Sequence, residues 1–160
     1  LPGAMSTIIF GGTGMLGTAL CKLDLPGGGY FIPRSKFDLD GGDLSGLECE
    51  LAFLCAGTKG FAACEGNAKA FRADVDGNIR LARHLLKQGT FVVFVSTDAV
   101  EVACGAAYAR NRLFVELAIG GLPNVAIFRP AKFGPHNVAD VARACADVGL
   151  KRIEGLTRWP

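Results

Sequence analysis

Gly11-Gly12-Thr13-Gly14-Met15-Leu16-Gly17 is the stretch of this sequence best suited to hold a ligand. It follows the β-rich run Ser6–Phe10 and opens a helical pattern, and in that position each glycine has a physical task. Gly11 permits the tight turn out of a strand. Gly14 lets backbone approach a pyrophosphate with no side chain between them. Gly17 lets the helix pack close to a sheet. Thr13, Met15 and Leu16 complete the loop and the first helical turn, whose free N–H groups and partial positive charge favour an anion. A plain β–α turn is the other reading of these residues. A Walker-type phosphate loop is excluded, because no Gly-Lys-Ser/Thr follows.

A dinucleotide is therefore the ligand class the loop suggests, and the end of the second strand bears on which one. A carboxylate there would hold a ribose hydroxyl, as NAD-binding and methyltransferase sites require. The sequence instead runs Phe31-Ile32-Pro33-Arg34-Ser35-Lys36. Arg34, Ser35 and Lys36 suit a 2′-phosphate, so NADP is expected, with NAD as the alternative. Arg34 and Lys36 also read as solvated charges.

The elements that must position these groups follow from hydrophobic spacing. Ser6–Phe10, Tyr30–Pro33, Leu51–Ala56, Thr90–Ser96 and Asn124–Arg129 read as strands. Met15–Lys22, Ala106–Ile119 and Val138–Val148 read as helices, and Lys151–Pro160 reads either way. Phe71, Val75, Ile79, Ala82 and Leu86 recur at spacings of three and four and form one helical stripe, with Gly89 placed as its C-cap. The strands are continuously apolar, as expected when helices cover both faces of a parallel sheet. The expected fold is a single Rossmann-type doubly wound α/β domain, strand order 3-2-1-4-5-6, with ligand across the carboxyl ends between strands 1 and 4.

Bulk properties narrow the function classes. The 160 residues give room for one domain, placed at 5–160; Leu1–Ala4 precede Met5 and are expected to be an expression remnant. A net charge of +2 offers no concentrated basic face for nucleic acid or an anionic membrane. No apolar run reaches the roughly 20 residues that span a bilayer. The six cysteines, Cys21, Cys49, Cys55, Cys64, Cys104 and Cys145, form no C-x-x-C pair, and with His84 and His136 they form no metal-ligand pattern. Buried, reduced thiols in a cytoplasmic protein are the expectation.

Taken in order, these residues resemble the extended short-chain dehydrogenase/reductases, and among them the NAD-dependent epimerase/dehydratases and dTDP-4-dehydrorhamnose reductases. The glycine loop is similar to that family's opening motif. Phe37-Asp38-Leu39 resembles its Asp-apolar step against adenine, and Cys55-Ala56-Gly57 its small-residue turn beneath the cofactor. Val95-Ser96-Thr97-Asp98-Ala99-Val100 resembles its S-T-D-x-V segment, and Tyr108-Ala109-Arg110-Asn111-Arg112 stands at its Y-x-x-x-K. Arg129-Pro130, Gly134-Pro135 and the segment Asn137–Ala144 resemble later turns, so the likeness spans residues 6–144.

The resemblance implies an NAD(P)-dependent oxidoreductase or epimerase acting on a carbonyl or hydroxyl of a small or sugar-nucleotide substrate. Tyr108 would be the acid/base, its pKa lowered from about 10. Arg112 would be the cation that lowers it and holds the nicotinamide ribose, so both residues would touch the cofactor. Thr97 would orient the substrate oxygen, with Ser96 as its nearest substitute.

Three departures from the family qualify that picture. Position 112 is Arg where the family has Lys, which changes donor geometry. Asp74 stands where the family has Asn. The region of the substrate domain is largely absent, since Gly134-Pro135 runs almost directly into Asn137. A non-catalytic dinucleotide-binding or scaffold protein is therefore the alternative, and a homodimer is a candidate assembly.

Overall fold

Short apolar runs pair side by side through their backbone groups, and the central ones bury both their faces. In the computed structural model, which describes residues 6–32, 37–103, 105–131 and 133–156 (the last four as backbone only), they form one parallel sheet. The strands are β1 (Thr7–Phe10), β2 (Gly29–Ile32), β3 (Leu51–Leu54), β4 (Phe91–Val95) and β5 (Val125–Phe128). Their order is β2-β1-β3-β4-β5. Register pairs such as Ile9 with Phe31, Ile9 with Phe53, and Phe53 with Val93 align the carboxyl ends.

The helices are α1 (Met15–Leu20), α2 (Phe61–Cys64), α3 (Ala68–Phe71), α4 (Asn78–Lys87), α5 (Ala99–Val102), α6 (Ala107–Ile119) and α7 (Val138–Leu156). A π-helical segment, Arg72–Gly77, joins α3 to α4. Alternate residues of each strand point to opposite faces. Phe10, Leu54, Val92 and Phe94 pack with Leu81 and Leu85 of α4 and Val115 and Ile119 of α6. Ile9, Leu51, Phe53 and Val93 pack with Leu16 and Leu20 of α1 and Ala142 and Cys145 of α7. The sheet is therefore doubly wound, as its unbroken apolar strands predict.

The five strands correspond to strands 2-1-4-5-6 of the expected six-strand order. The segment that would supply the outermost strand, residues 37–50, runs as turns. Its composition explains this: Gly41 and Gly46 take positive φ, and Asp43 accepts hydrogen bonds from the N–H and hydroxyl of Ser45. The segment docks instead on the π segment and α4, where Arg80 donates to the Gly42 carbonyl at 2.8 Å. Phe37 and Leu39 enter the core, with Phe37 edge-on to Phe10 at 5.6 Å.

Two element boundaries differ from the sequence reading. The last helix runs on through the ambiguous segment as far as Leu156. The stripe over residues 71–86 is wider than the sequence reading: Val75 and Ala82 are buried and Ile79 and Leu86 pack against the core, but Ala70, Asp74, Asn78, Leu81 and Leu85 are buried as well, and Phe71 alone of the expected five is exposed, against Phe114. Two polar residues on the inward face, Asp74 and Asn78, hid its full width from a hydrophobicity count. Gly89 does follow the helix in a left-handed conformation, its N–H donating to the Leu86 carbonyl at 3.1 Å. Residues 1–5 and 157–160 and Cys104 lie outside the described residues, as do Pro33, Arg34, Ser35 and Lys36.

Candidate functional site

The chain leaves β1 through Gly11, whose φ of +87° only glycine adopts at low cost. A Cβ there would stand 2.6 Å from the Ala56 backbone nitrogen, so the loop lies directly against the turn after β3. Gly17 presses against the Gly11 carbonyl, which fixes α1 close to the sheet. Thr18 secures the loop by donating its hydroxyl to the Gly12 carbonyl at 2.9 Å. Gly14 is different: it begins α1 with no side-chain cap, and the nearest atoms to a Cβ there are the Gly11 carbonyl oxygen at 3.3 Å and Lys59 Cε at 3.9 Å. Gly14 thus borders a gap, and no side chain of the loop caps the first turn of α1.

That gap belongs to a cleft of about 590 Å³ at the carboxyl ends of β1 and β3, where the order of the strands reverses. Gly11, Gly12, Thr13 and Gly14 line one wall; Asp38 and Leu39 another; Ala56, Gly57, Thr58 and Lys59 the floor and rim. Met15, Leu16 and Gly17 lie behind that wall, Leu16 with its side chain in the core and Met15 with its side chain exposed. The cleft brings together half of the residues expected to touch a dinucleotide: Gly11, Thr13, Gly14, Asp38, Leu39, Ala56 and Gly57. Arg34 and Ser35 fall outside the described residues.

The residues expected to do chemistry are not on the cleft lining. Tyr108 stands in the first turn of α6, half-buried, its ring 5.2 Å from that of Phe61. Glu65 fixes this end of α6 by accepting the Ala107 N–H at 2.7 Å. The Thr97 hydroxyl accepts the Ala99 N–H at 3.2 Å and so braces the start of α5. Ser96 is buried, and its hydroxyl has no partner among the described residues. Arg112, one turn after Tyr108, is 7% exposed and donates to the Val95 carbonyl at 3.3 Å. Its guanidinium carbon lies 5.6 Å from the Phe94 ring centre and 5.8 Å from that of Tyr108.

Three residues without a role in the sequence reading also shape the cleft. Lys59, directly after the small-residue turn, and Lys69 of α3 place cations at its rim. Asp74, noted only as a departure from the family, lines it from the π segment, accepting the Thr58 N–H at 2.7 Å while 2% exposed. The position of Lys59 in Ala56-Gly57-Thr58-Lys59 was a usable signal; Lys69 had none. Desolvation pushes the Cys55 thiol, beside this floor, up to about 12.

No protein-family model matches the chain, and no curated protein matches it in sequence. Solved structures do share its fold. The dTDP-4-dehydrorhamnose reductase of Bacillus anthracis, solved in complex with NADP, superposes with a TM-score of 0.69 at 20% identity, over 84% of this chain and 57% of that one. A dTDP-4-dehydrorhamnose reductase from Clostridium acetobutylicum gives 0.74 at 20% identity, over 94% and 71%. A short-chain dehydrogenase/reductase superfamily protein from Agrobacterium tumefaciens with bound NAD gives 0.60 at 16% identity, over 77% and 48%. The fold is thus the one that these reductases share, and the chain spans 57% of the first of them. Among the described residues, no helix is long and apolar enough to cross a membrane.

Proposed function

We propose that this protein binds a nicotinamide dinucleotide across the carboxyl ends of β1 and β3, as the binding unit of a short-chain dehydrogenase/reductase-like oxidoreductase. The observation that carries the reading is the place of the glycine loop Gly11–Gly14 on the cleft wall, where the uncapped start of α1 meets the turn after β3 at the point of strand-order reversal. The pyrophosphate would lie on Gly11–Gly14, with Lys59 adding a cation and Asp38 and Leu39 beside the adenine. Arg34 and Ser35 favour NADP over NAD.

A bound nicotinamide would supply or accept hydride at the carbonyl or carbinol carbon of the substrate. The chain's own part is then a proton at the substrate oxygen, given or taken by the Tyr108 hydroxyl. Thr97 would orient that oxygen, and Arg112, with its guanidinium carbon 5.8 Å from the Tyr108 ring centre, would be the cation beside it. The sugar-nucleotide substrates of the reductases of like fold set the substrate class to try first. The protein would then be cytoplasmic, with a small-molecule substrate and a homodimer as its assembly.

Calorimetric titration with NADPH and NADH tests binding first. NADPH should bind, NADH more weakly, and Gly14→Val should weaken binding by about tenfold or more. No binding of either would overturn the proposal. Tyr108→Phe should abolish NADPH oxidation by a 4-keto sugar nucleotide and spare binding; unchanged turnover would remove Tyr108 from the mechanism.

A second reading, binding without catalysis, is favoured by the burial of Arg112, which does not line the cleft. It predicts NADPH binding with no oxidation by any carbonyl substrate tried.

A further inference from the structure

Two buried charges of opposite sign flank Gly57. Asp74 reaches the turn from the π segment, and its Oδ1 accepts the Thr58 N–H at 2.7 Å. Arg112 reaches it from α6, behind the sheet ends, where it donates to the Val95 carbonyl. A Cβ at Gly57 would lie 2.5 Å from Arg112 Nη2 and 3.3 Å from Asp74 Oδ1, so the missing side chain is what lets both groups close on one point. The π segment and α6 are packed together beyond these residues, and just before the π segment the exposed rings of Phe71 in α3 and Phe114 in α6 also meet edge-on.

A lone carboxylate at Asp74 would be costly in two ways. It loses water on burial, and it faces a cleft whose proposed ligand is an anion. A lone guanidinium at Arg112 loses water likewise. Placed on either side of Gly57, each offsets the other's field, and the floor of the cleft becomes neutral.

We propose that Asp74 and Arg112 work as one electroneutral unit that holds the Gly57–Thr58 turn in place. Arg112 is then a positioning residue that acts on the cofactor through Asp74, rather than a ligand of the cofactor ribose. The part concerning ligand rests on the dinucleotide reading above; the pairing itself does not. It also accounts for Asp and Arg occurring together at positions 74 and 112.

A double-mutant cycle on the full chain tests this, with urea unfolding and NADPH calorimetry as readouts. Arg112→Met should lower stability and weaken NADPH binding about tenfold, because it leaves Asp74 uncompensated. Asp74→Asn alone should lower stability with a smaller effect on binding. The double variant should be more stable than Arg112→Met and bind within about threefold of the wild type. Arg112→Lys, which keeps the charge, should restore binding relative to Arg112→Met. If Arg112→Met does not fold, recovery of a folded protein by adding Asp74→Asn is the expected result, and failure to recover it overturns the pairing. Losses that simply add would also overturn it and make Arg112 a direct ligand. A wild type that binds no NADPH sinks the dinucleotide reading, while the unfolding cycle still decides the pairing.

Discussion

A methyl group added at Gly14 or at Gly17 probes two different properties of one loop. At Gly17 it would overlap the Gly11 carbonyl, which belongs to backbone held against Ala56. Gly17→Ala should therefore cost about 1–3 kcal/mol in urea unfolding. At Gly14 the contact is milder, with the Gly11 carbonyl oxygen at 3.3 Å, so Gly14→Ala should cost less, about 1 kcal/mol, and a larger side chain on this cleft-lining residue should act on binding more than on folding. These roles were legible in the sequence, because a glycine after a strand acts through its own backbone and its neighbours. The cleft roles of Lys69 and Asp74 were not, since their meaning depends on which elements meet them. The thiols make a further test. Desolvation raises Cys49 to about 11 and Cys55 to about 12 from the ordinary 9.0. A raised folded value means that the unfolded thiols ionise first as pH rises. Stability from these groups is thus full below about pH 9 and is lost as pH climbs toward 11–12. Unfolding midpoints measured from pH 7 to 11 should fall only above about pH 9, and a flat profile would contradict the burial of these thiols.

Strands were the easiest elements to read, since β1, β3 and β4 are buried along their whole length and, but for Thr7, apolar throughout. Helices whose inward face carries polar residues were harder, and α4 with its π segment shows why. Asn78 is fully buried, donating to the carbonyls of Asp74 and Ala56, so its burial serves the turn after β3. At the β5 edge of the sheet, α6 is tied to the end of β5 by Glu116, a buried carboxylate that accepts from Arg129 through both oxygens. Arg129 also reaches the exposed Glu101 at 2.9 Å. Arg129→Ala would leave the Glu116 carboxylate buried without this partner and should cost about 1–3 kcal/mol. Glu101→Ala, on the exposed side, should cost less than about 1 kcal/mol, and chemical denaturation of the two variants side by side checks the difference.

The whole chain folds as the sheet pattern predicts, with its cleft at the point where the strand order reverses. The segment from 37 to 50 departed from a six-strand expectation because its glycines and Asx turn outweigh its few apolar residues. Cofactor binding at that cleft would be felt globally, since its walls are the loops that join the two helical layers. Saturating NADPH at about 100 times its dissociation constant should add about 2.7 kcal/mol to the folded state. That corresponds to a rise in melting temperature of roughly 5–10 °C, which thermal unfolding with and without NADPH would detect.

The π-helical segment between α3 and α4 changes the phase of a single continuous coil. Its i→i+5 bonding fits one more residue into a turn than an α-helix does, so the residues before and after it face different partners from one rod. Ala70 and Asp74 turn toward the cleft, while Leu81 and Leu85 turn toward the sheet. Deleting one residue between 72 and 77 would restore an uninterrupted α-helix and force a choice between those two alignments. The core would hold α4 in place, and Asp74 would swing away from Thr58. The wide turn thus works as a gear offset, letting the hydrophobic interior set the angle of one end while the cleft sets the angle of the other.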